Sequence, residues 1–236
     1  MGLFRAFRVE QSDPNRFYGL LAEDSVLQLS DFADLGGAVV LDVGGGPGYF
    51  GRAFRRTGAR YYAVDEDLGE LSARSAPGAG TVLGSGLALP FASASVDVAY
   101  SSNVLEHVPD PQAMAEEMLR VTRPGGTVFL SYTVWLSPWG GHETAPWHYL
   151  GGARAADRFA RRHGRRPKND YGSTLFPTSA ATMLRWARRA EAEGRAQLLA
   201  AFPRYHPGWA HWLVAVPGAR ELLLWNLVLV LRPSPA

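Results

Sequence analysis

Residues 39–50, V-V-L-D-V-G-G-G-P-G-Y-F, decide the fold. Val39, Val40, Leu41 and Val43 make a short, β-branched apolar run, the pattern of a strand buried on both faces of a parallel sheet. The run breaks into Gly44, Gly45, Gly46 and Gly48. Such a backbone bends sharply and can lie against a ligand with no Cβ in the way. Phe50, Ala53 and Phe54 then recur at helical spacing as far as Gly58, a C-cap residue. Strand, glycine turn and helix in that order put free N–H groups at a helix N-terminus, where an anionic ligand group is favoured. The class is therefore α/β.

Two cofactor classes use this unit. The dinucleotide fingerprint G-x-G-x-x-G starts directly after its strand. In that register Gly44 and Gly46 fit but the third position is Tyr49, and the alternative Gly46, Gly48, Gly51 begins two residues late. Asp42, two residues before the first glycine, fits the other class. The segment resembles motif I, D-x-G-x-G-x-G, of class I S-adenosylmethionine (SAM)-dependent methyltransferases. A second apolar run, Tyr61 to Val64, ends in Asp65, 23 residues after Asp42. An acid there accepts both ribose hydroxyls of SAM or of NAD, so it does not separate them. The later segments do: L-G-S-G-L-A-L-P-F at 83–91, V-D-V-A-Y-S-S-N-V-L-E-H-V at 96–108, and L-R-V-T-R-P-G-G-T-V-F-L-S-Y at 119–132. They resemble the third-strand loop, fourth strand and pre-fifth-strand turn of the small-molecule methyltransferase group that includes the ubiquinone and menaquinone methylases. The resemblance covers residues 38–134, and the whole chain also resembles actinobacterial methyltransferases.

The resemblance implies a Rossmann-like, seven-stranded, mostly parallel sheet with helices on both faces and an antiparallel last strand. It implies SAM as cofactor, with S-adenosylhomocysteine as product, held by Asp42, Gly44, Gly45, Gly46, Gly48, Asp65, Glu66, Ser85, Gly86, Leu87, Ser102 and Asn103, with Tyr18 reaching in from an N-terminal helix. One departure stands out. Members of the group often carry an acid in the 84–86 loop for the adenine amino group, whereas this chain has Gly84, Ser85 and Gly86; Ser85 accepts a hydrogen bond without charge. The L-E-H-V segment, with Glu106 and His107, reads as cofactor-side architecture.

Composition narrows the rest. The 236 residues, 47% of them hydrophobic, suit a single α/β domain. Zero cysteines exclude a disulfide framework, a thiolate metal site and Cys-dependent methyl transfer, and are compatible with the cytoplasm. The N-terminus lacks a continuous apolar signal core, and Ala6 spoils the myristoylation pattern. The apolar run Leu222–Leu231 is about half a membrane span and reads as a buried strand. A net charge of +2 gives no global field for nucleic acid.

Along the chain, residues 1–37 read as lid helices, with Asp13-Pro14 opening one that runs through Leu29 and brings Phe17 and Tyr18 to the cofactor. Residues 38–134 are the SAM-binding core, with a helix opened by Asp110-Pro111, stopped at Pro124-Gly125-Gly126 and followed by a strand from Thr127. Residues 135–177 are an acceptor-side insertion. Residues 178–236 hold a helix from Thr178 or Ser179 and strands at 195–203 and 222–231. Ligands of an open α/β sheet collect at the carboxyl ends of its strands. The Trp- and His-rich stretch 135–150 and the aromatic loop 203–212 begin at such ends and are expected to form the acceptor pocket.

The expected reaction is O-methylation of a small molecule, with sugar or glycolipid hydroxyls ahead of phenols; N- or C-methylation and a non-catalytic SAM-binding role are the alternatives. A hydroxyl acceptor gains from a general base. His142, oriented by Glu143, is the first candidate and His148 the second; His206 and His211 read as ordinary loop residues. No recognised metal-ligand spacing links His142, Glu143 and His148, so no metal is expected. Arg154, Arg158, Arg161 and Arg162 share one helical face, either solvated or a dock for an acidic acceptor or an anionic lipid surface.

Overall fold

The computed structural model describes residues 13–72 and 80–235. Residues 1–12, on which the leader and myristoylation readings rest, lie outside them. Helix α1 (Pro14–Ser30) starts where expected: the Asp13 carboxylate accepts from the Arg16 N–H at 3.1 Å, and Pro14 fills the first helical position. Strand β1 (Val39–Val43) leads through the glycine turn into the short helix α2 (Gly51–Arg56) and strand β2 (Arg60–Asp65). Helix α3 (Leu68–Ser72), β3 (Thr81–Leu83), β4 (Val96–Ser102) and a 3₁₀ turn (Leu105–His107) follow. Helix α4 (Pro111–Val121) is capped by Asp110, whose carboxylate accepts from the N–H groups of Gln112 and Ala113. Then come β5 (Thr122–Thr133), α5 (Gly152–His163), α6 (Ala180–Ala192), β6 (Ala196–Pro203), α7 (Ala219–Leu223) and β7 (Asn226–Pro233).

The described strands form one seven-stranded sheet in the order β3-β2-β1-β4-β5-β7-β6. Strands β1 to β5 pair in parallel, and β7 is antiparallel to both of its neighbours, β5 and β6. Side-chain alternation builds two cores. On one face Leu41, Val43, Ala99 and Leu130 pack with Met114 and Met118 of α4 and Met183 and Trp186 of α6. On the other Val40, Val98, Tyr100 and Phe129 pack with Phe17, Leu21 and Leu29 of α1 and Phe54 of α2. Helices thus cover both faces, as a parallel sheet requires.

Two boundaries differ from the sequence reading. Strand β5 already begins at Thr122, because Pro124-Gly125-Gly126 forms an irregularity inside the strand, between the pairs Val96–Thr122 and Val98–Thr127. Strand β7 begins at Asn226, not Leu222: Leu222 and Leu223 end α7 and are half exposed, so the apolar run spans two elements. No helix among the described residues is long and apolar enough to cross a membrane.

Candidate active site

The order of connections reverses between β1 and its neighbour β4, and that is where an open α/β sheet binds its ligand. The glycine turn and the segment after β4 face each other across this crevice. Gly44 has φ +78°, and a Cβ there would lie 2.3 Å from Val104 Cγ2, so only glycine lets the two loops approach. Beneath the turn the Asp42 carboxylate is fully buried and accepts from the Tyr61 hydroxyl at 2.5 Å. Burial pushes its pKa up to about 7, with the bond from Tyr61 opposing and the charge of Asp65 adding to the rise.

Asp65, at the end of β2, accepts from the Gly46 N–H at 3.0 Å through one oxygen and from the Asp67 N–H at 3.0 Å through the other. Burial raises its pKa against these two bonds. Next to it the Ser85 hydroxyl donates to Glu66 at 3.2 Å and accepts from the Leu87 N–H at 3.3 Å. Gly86 lies over Val43 and Met114, where a Cβ would come within 3.4 Å. Tyr18 of α1 stacks on Tyr49 of the glycine turn with ring centroids 4.8 Å apart. The cofactor-side residues read from the sequence therefore meet around one crevice.

The wall after β4 is held from the far side. Asn103, with φ +58°, donates its N–H to the Ser131 carbonyl at 2.8 Å, and its side-chain oxygen accepts from Asn226 at 2.7 Å. The Ser102 hydroxyl accepts from Arg204 at 2.8 Å. Arg204 carries no motif in the sequence, where it stands in the aromatic loop 203–212. Its side chain is wholly buried. The guanidinium donates to Ser131 at 3.0 Å and to the Ser25 hydroxyl, and makes longer contacts of 3.4 Å with the Leu21 carbonyl and the Asp24 carboxylate. It therefore fastens α1 to the ends of β4 and β5. The only sequence signal was its position beside Phe202, Pro203 and Tyr205.

The two aromatic loops converge on Trp225, with Trp139 at 6.1 Å and His206 at 5.0 Å between ring centroids. Among the expected catalytic residues, the pairing of Glu143 with His142 does not form. The Glu143 carboxylate instead accepts from the N–H groups of Lys168 and Asn169 at 3.1 and 3.3 Å and from the Asn169 side chain at 3.1 Å, bracing the second half of the 135–177 interval. His148 is buried, with Nε2 3.1 Å from the Ser137 carbonyl. His142 instead meets His107, ring centroids 5.2 Å apart. Burial, helped by His107 and His148, holds the His142 pKa down to about 3. Such a ring stays neutral at working pH and is a weak proton acceptor there. Glu106, read as architecture, is buried beside both histidines. On α5 the four arginines are exposed, and Arg158 covers the Trp147 ring at 3.9 Å.

Comparison with known proteins identifies this architecture. Residues 41–130 match a family model described as a methyltransferase domain. A methyltransferase of Mycolicibacterium gilvum is 59% identical over 242 residues, which is 98% of this chain and 93% of that protein. The chain belongs to the class I SAM-dependent methyltransferase family. A methyltransferase of Mycobacterium sp. strain KMS is 57% identical, again across 98% of this chain and 93% of the relative. The same fold is seen in a SAM-dependent methyltransferase from Mesorhizobium loti, with TM-score 0.60 and 22% identity over 89% of this chain and 97% of that one. The protein is thus an actinobacterial-type methyltransferase, and SAM is its methyl donor. The crevice fits that cofactor. At Gly46 and Gly48 an added Cβ would meet nothing within 4 Å, so these glycines face open space, and Asp65 stands beside them as the half-buried acid.

Proposed function

We propose that this methyltransferase methylates a hydroxyl of a small molecule, a sugar or glycolipid ahead of a phenol, held between residues 103–107 and the 135–150 loop. When bound, SAM supplies an electrophilic methyl group on a sulfonium. In this reading Gly44, Gly45, Gly46 and Gly48 form its cradle and Asp42 supports them from below. Asp65 and Glu66 take the ribose hydroxyls; Ser85, Gly86 and Leu87 line the adenine; Ser102, Asn103 and Tyr18 close the crevice. Chain 1–236 then works as one cytoplasmic domain, with α1 as the lid, 135–177 on the acceptor side and the arginine face of α5 turned to solvent or to an anionic lipid surface.

One observation carries the reading of an acceptor that brings a hydrogen-bond donor. The Oε2 atom of Glu106 and the Nε2 atom of His142 are buried and lack a hydrogen-bond partner, and the O–H of a hydroxyl acceptor satisfies them, as an N–H also does. Alignment of donor carbon and acceptor oxygen then contributes most: well-oriented reactants gain about 7–11 kcal/mol. His142, neutral and fixed, serves as the group that orients the hydroxyl, with His148 and Glu143 holding the loop that carries it. The test is incubation with methyl-labelled SAM and a metabolite extract of the source organism, followed by fragmentation of the labelled product. An O-methyl product, with turnover lowered at least about 10-fold in His142→Asn, supports the reading. An N- or C-methyl product overturns it.

A further inference from the structure

Three side chains at the end of β4 and on the loop opposite each offer one ligand atom to a common space. Glu106, His107 and His142 bring a carboxylate oxygen and two ring nitrogens within 4.8 Å of one another. Two of the three are anchored through another atom. Glu106 Oε1 accepts from the Thr133 N–H at 3.0 Å. His107 Nδ1 lies 2.7 Å from the Thr174 carbonyl, a partner that can only accept; Nδ1 therefore carries the proton and Nε2 keeps its lone pair. What remains free is what a cation wants: Glu106 Oε2 and His142 Nε2 are both buried without a hydrogen-bond partner. Among the neighbours Glu143 is spent on Lys168 and Asn169 and His148 Nε2 on Ser137; His148 Nδ1 is also buried without a partner, but His148 does not join the set that lies within 4.8 Å.

We propose that Glu106, His107 and His142 bind a divalent transition-metal ion of the zinc class. Two imidazoles and one carboxylate are a mixed nitrogen–oxygen set suited to such an ion, and three protein ligands leave a coordination position open, as in catalytic zinc centres. The bond of His107 to Thr174 and that of Glu106 to Thr133 are the outer contacts that fix ring tautomer and carboxylate orientation around a metal. A zinc ion with bonds of about 2.0–2.1 Å needs ligand atoms roughly 3.3 Å apart. The present spread, up to 4.8 Å, has to close on binding. Because His107 follows β4 and His142 sits on the loop after β5, the ion ties together the two segments that face the acceptor. The ion takes the two lone pairs that receive the acceptor's O–H in the metal-free protein, so with metal bound the acceptor oxygen is held at the open position instead; that placement rests on the proposed O-methylation, whereas the binding itself does not.

The test uses the full-length protein, stripped with a chelator, then titrated with Zn²⁺ by calorimetry and with Co²⁺ by visible absorption. We expect saturable binding of about one equivalent and intense tetrahedral Co²⁺ bands. Affinity should fall at least about 100-fold in Glu106→Gln and in His142→Asn, and stay unchanged in His163→Ala and His206→Ala. Glu106→Gln keeps an oxygen for Thr133, and asparagine tolerates the φ of +46° at position 142, so either variant suffices if the other is misfolded by circular dichroism. Absence of saturable binding overturns the proposal, as does binding indifferent to both variants. No acceptor is present in these titrations. A failure here leaves the methyl-transfer reading standing, and an N-methyl product would leave this site standing.

Discussion

Replacing Arg204 by methionine should unfasten α1 from the sheet. The wild-type guanidinium makes close bonds to three hydroxyls, those of Ser25, Ser102 and Ser131, and longer contacts to Leu21 and Asp24. Hydrogen bonds from a charged donor contribute about 1.5–3 kcal/mol each. Against them stands the burial of the guanidinium itself, which costs several kcal/mol and which methionine, of similar length, relieves. The groups left behind are not all stranded: Ser25 keeps the Tyr100 hydroxyl at 2.7 Å, Ser131 keeps Ser102 at 3.3 Å, and the Asp24 side chain is 31% exposed. The difference leaves a net loss of about 2–4 kcal/mol. For a chain of this size that is a fall in Tm of about 4–16 °C. Urea unfolding measures the loss, and amide exchange locates it, with residues 14–30 losing protection ahead of β4 and β5. A loss below about 0.5 kcal/mol with unchanged exchange in α1 would show that the buried arginine contributes nothing net and does not hold the helix.

Asp42 gives a pH prediction. Its folded pKa of about 7 lies above the ordinary value of 3.8, so between these limits the folded state binds the extra proton and stability falls as pH rises from about 4 to 7, then levels. Urea midpoints of Asp42→Asn should lack that decline, and a parallel decline in wild type and variant would exclude Asp42 as its source. Gly46→Val should leave a folded protein without SAM binding, because the space beyond Gly46 is open and its φ is +47°; calorimetry showing normal affinity would contradict the cradle. The lid reading expects residues 14–30 to gain amide protection on adding S-adenosylhomocysteine, and no change there would remove Tyr18 from the site.

The parts of the fold written in local patterns were legible. Apolar runs carrying Asp42 and Asp65 and the Asp-Pro caps at positions 13 and 110 depend on neighbouring residues alone. The apolar run 222–231 misled because hydrophobicity does not tell a half-exposed helical turn from a buried strand. The residues proposed for the cofactor stand out as short local motifs because most of them lie at the carboxyl ends of β1, β2, β3 and β4. The arrangement around the proposed acceptor side was not legible, because its contacts join positions far apart: Glu143 with Lys168 and Asn169, Arg204 with Ser25 and Ser102, His142 with His107. A histidine next to a glutamate in sequence suggested a pair, yet in a 3₁₀ turn adjacent side chains diverge.

The central claim is that the crevice between β1 and β4 binds SAM with Asp65 on its ribose. Calorimetric titration of SAM into the wild type and a folded Asp65→Ala variant tests it directly. The account predicts saturable binding to the wild type and a loss of about 1.5–3 kcal/mol in the variant, roughly 10- to 150-fold in Kd. Equal affinity of the two proteins for SAM would contradict it.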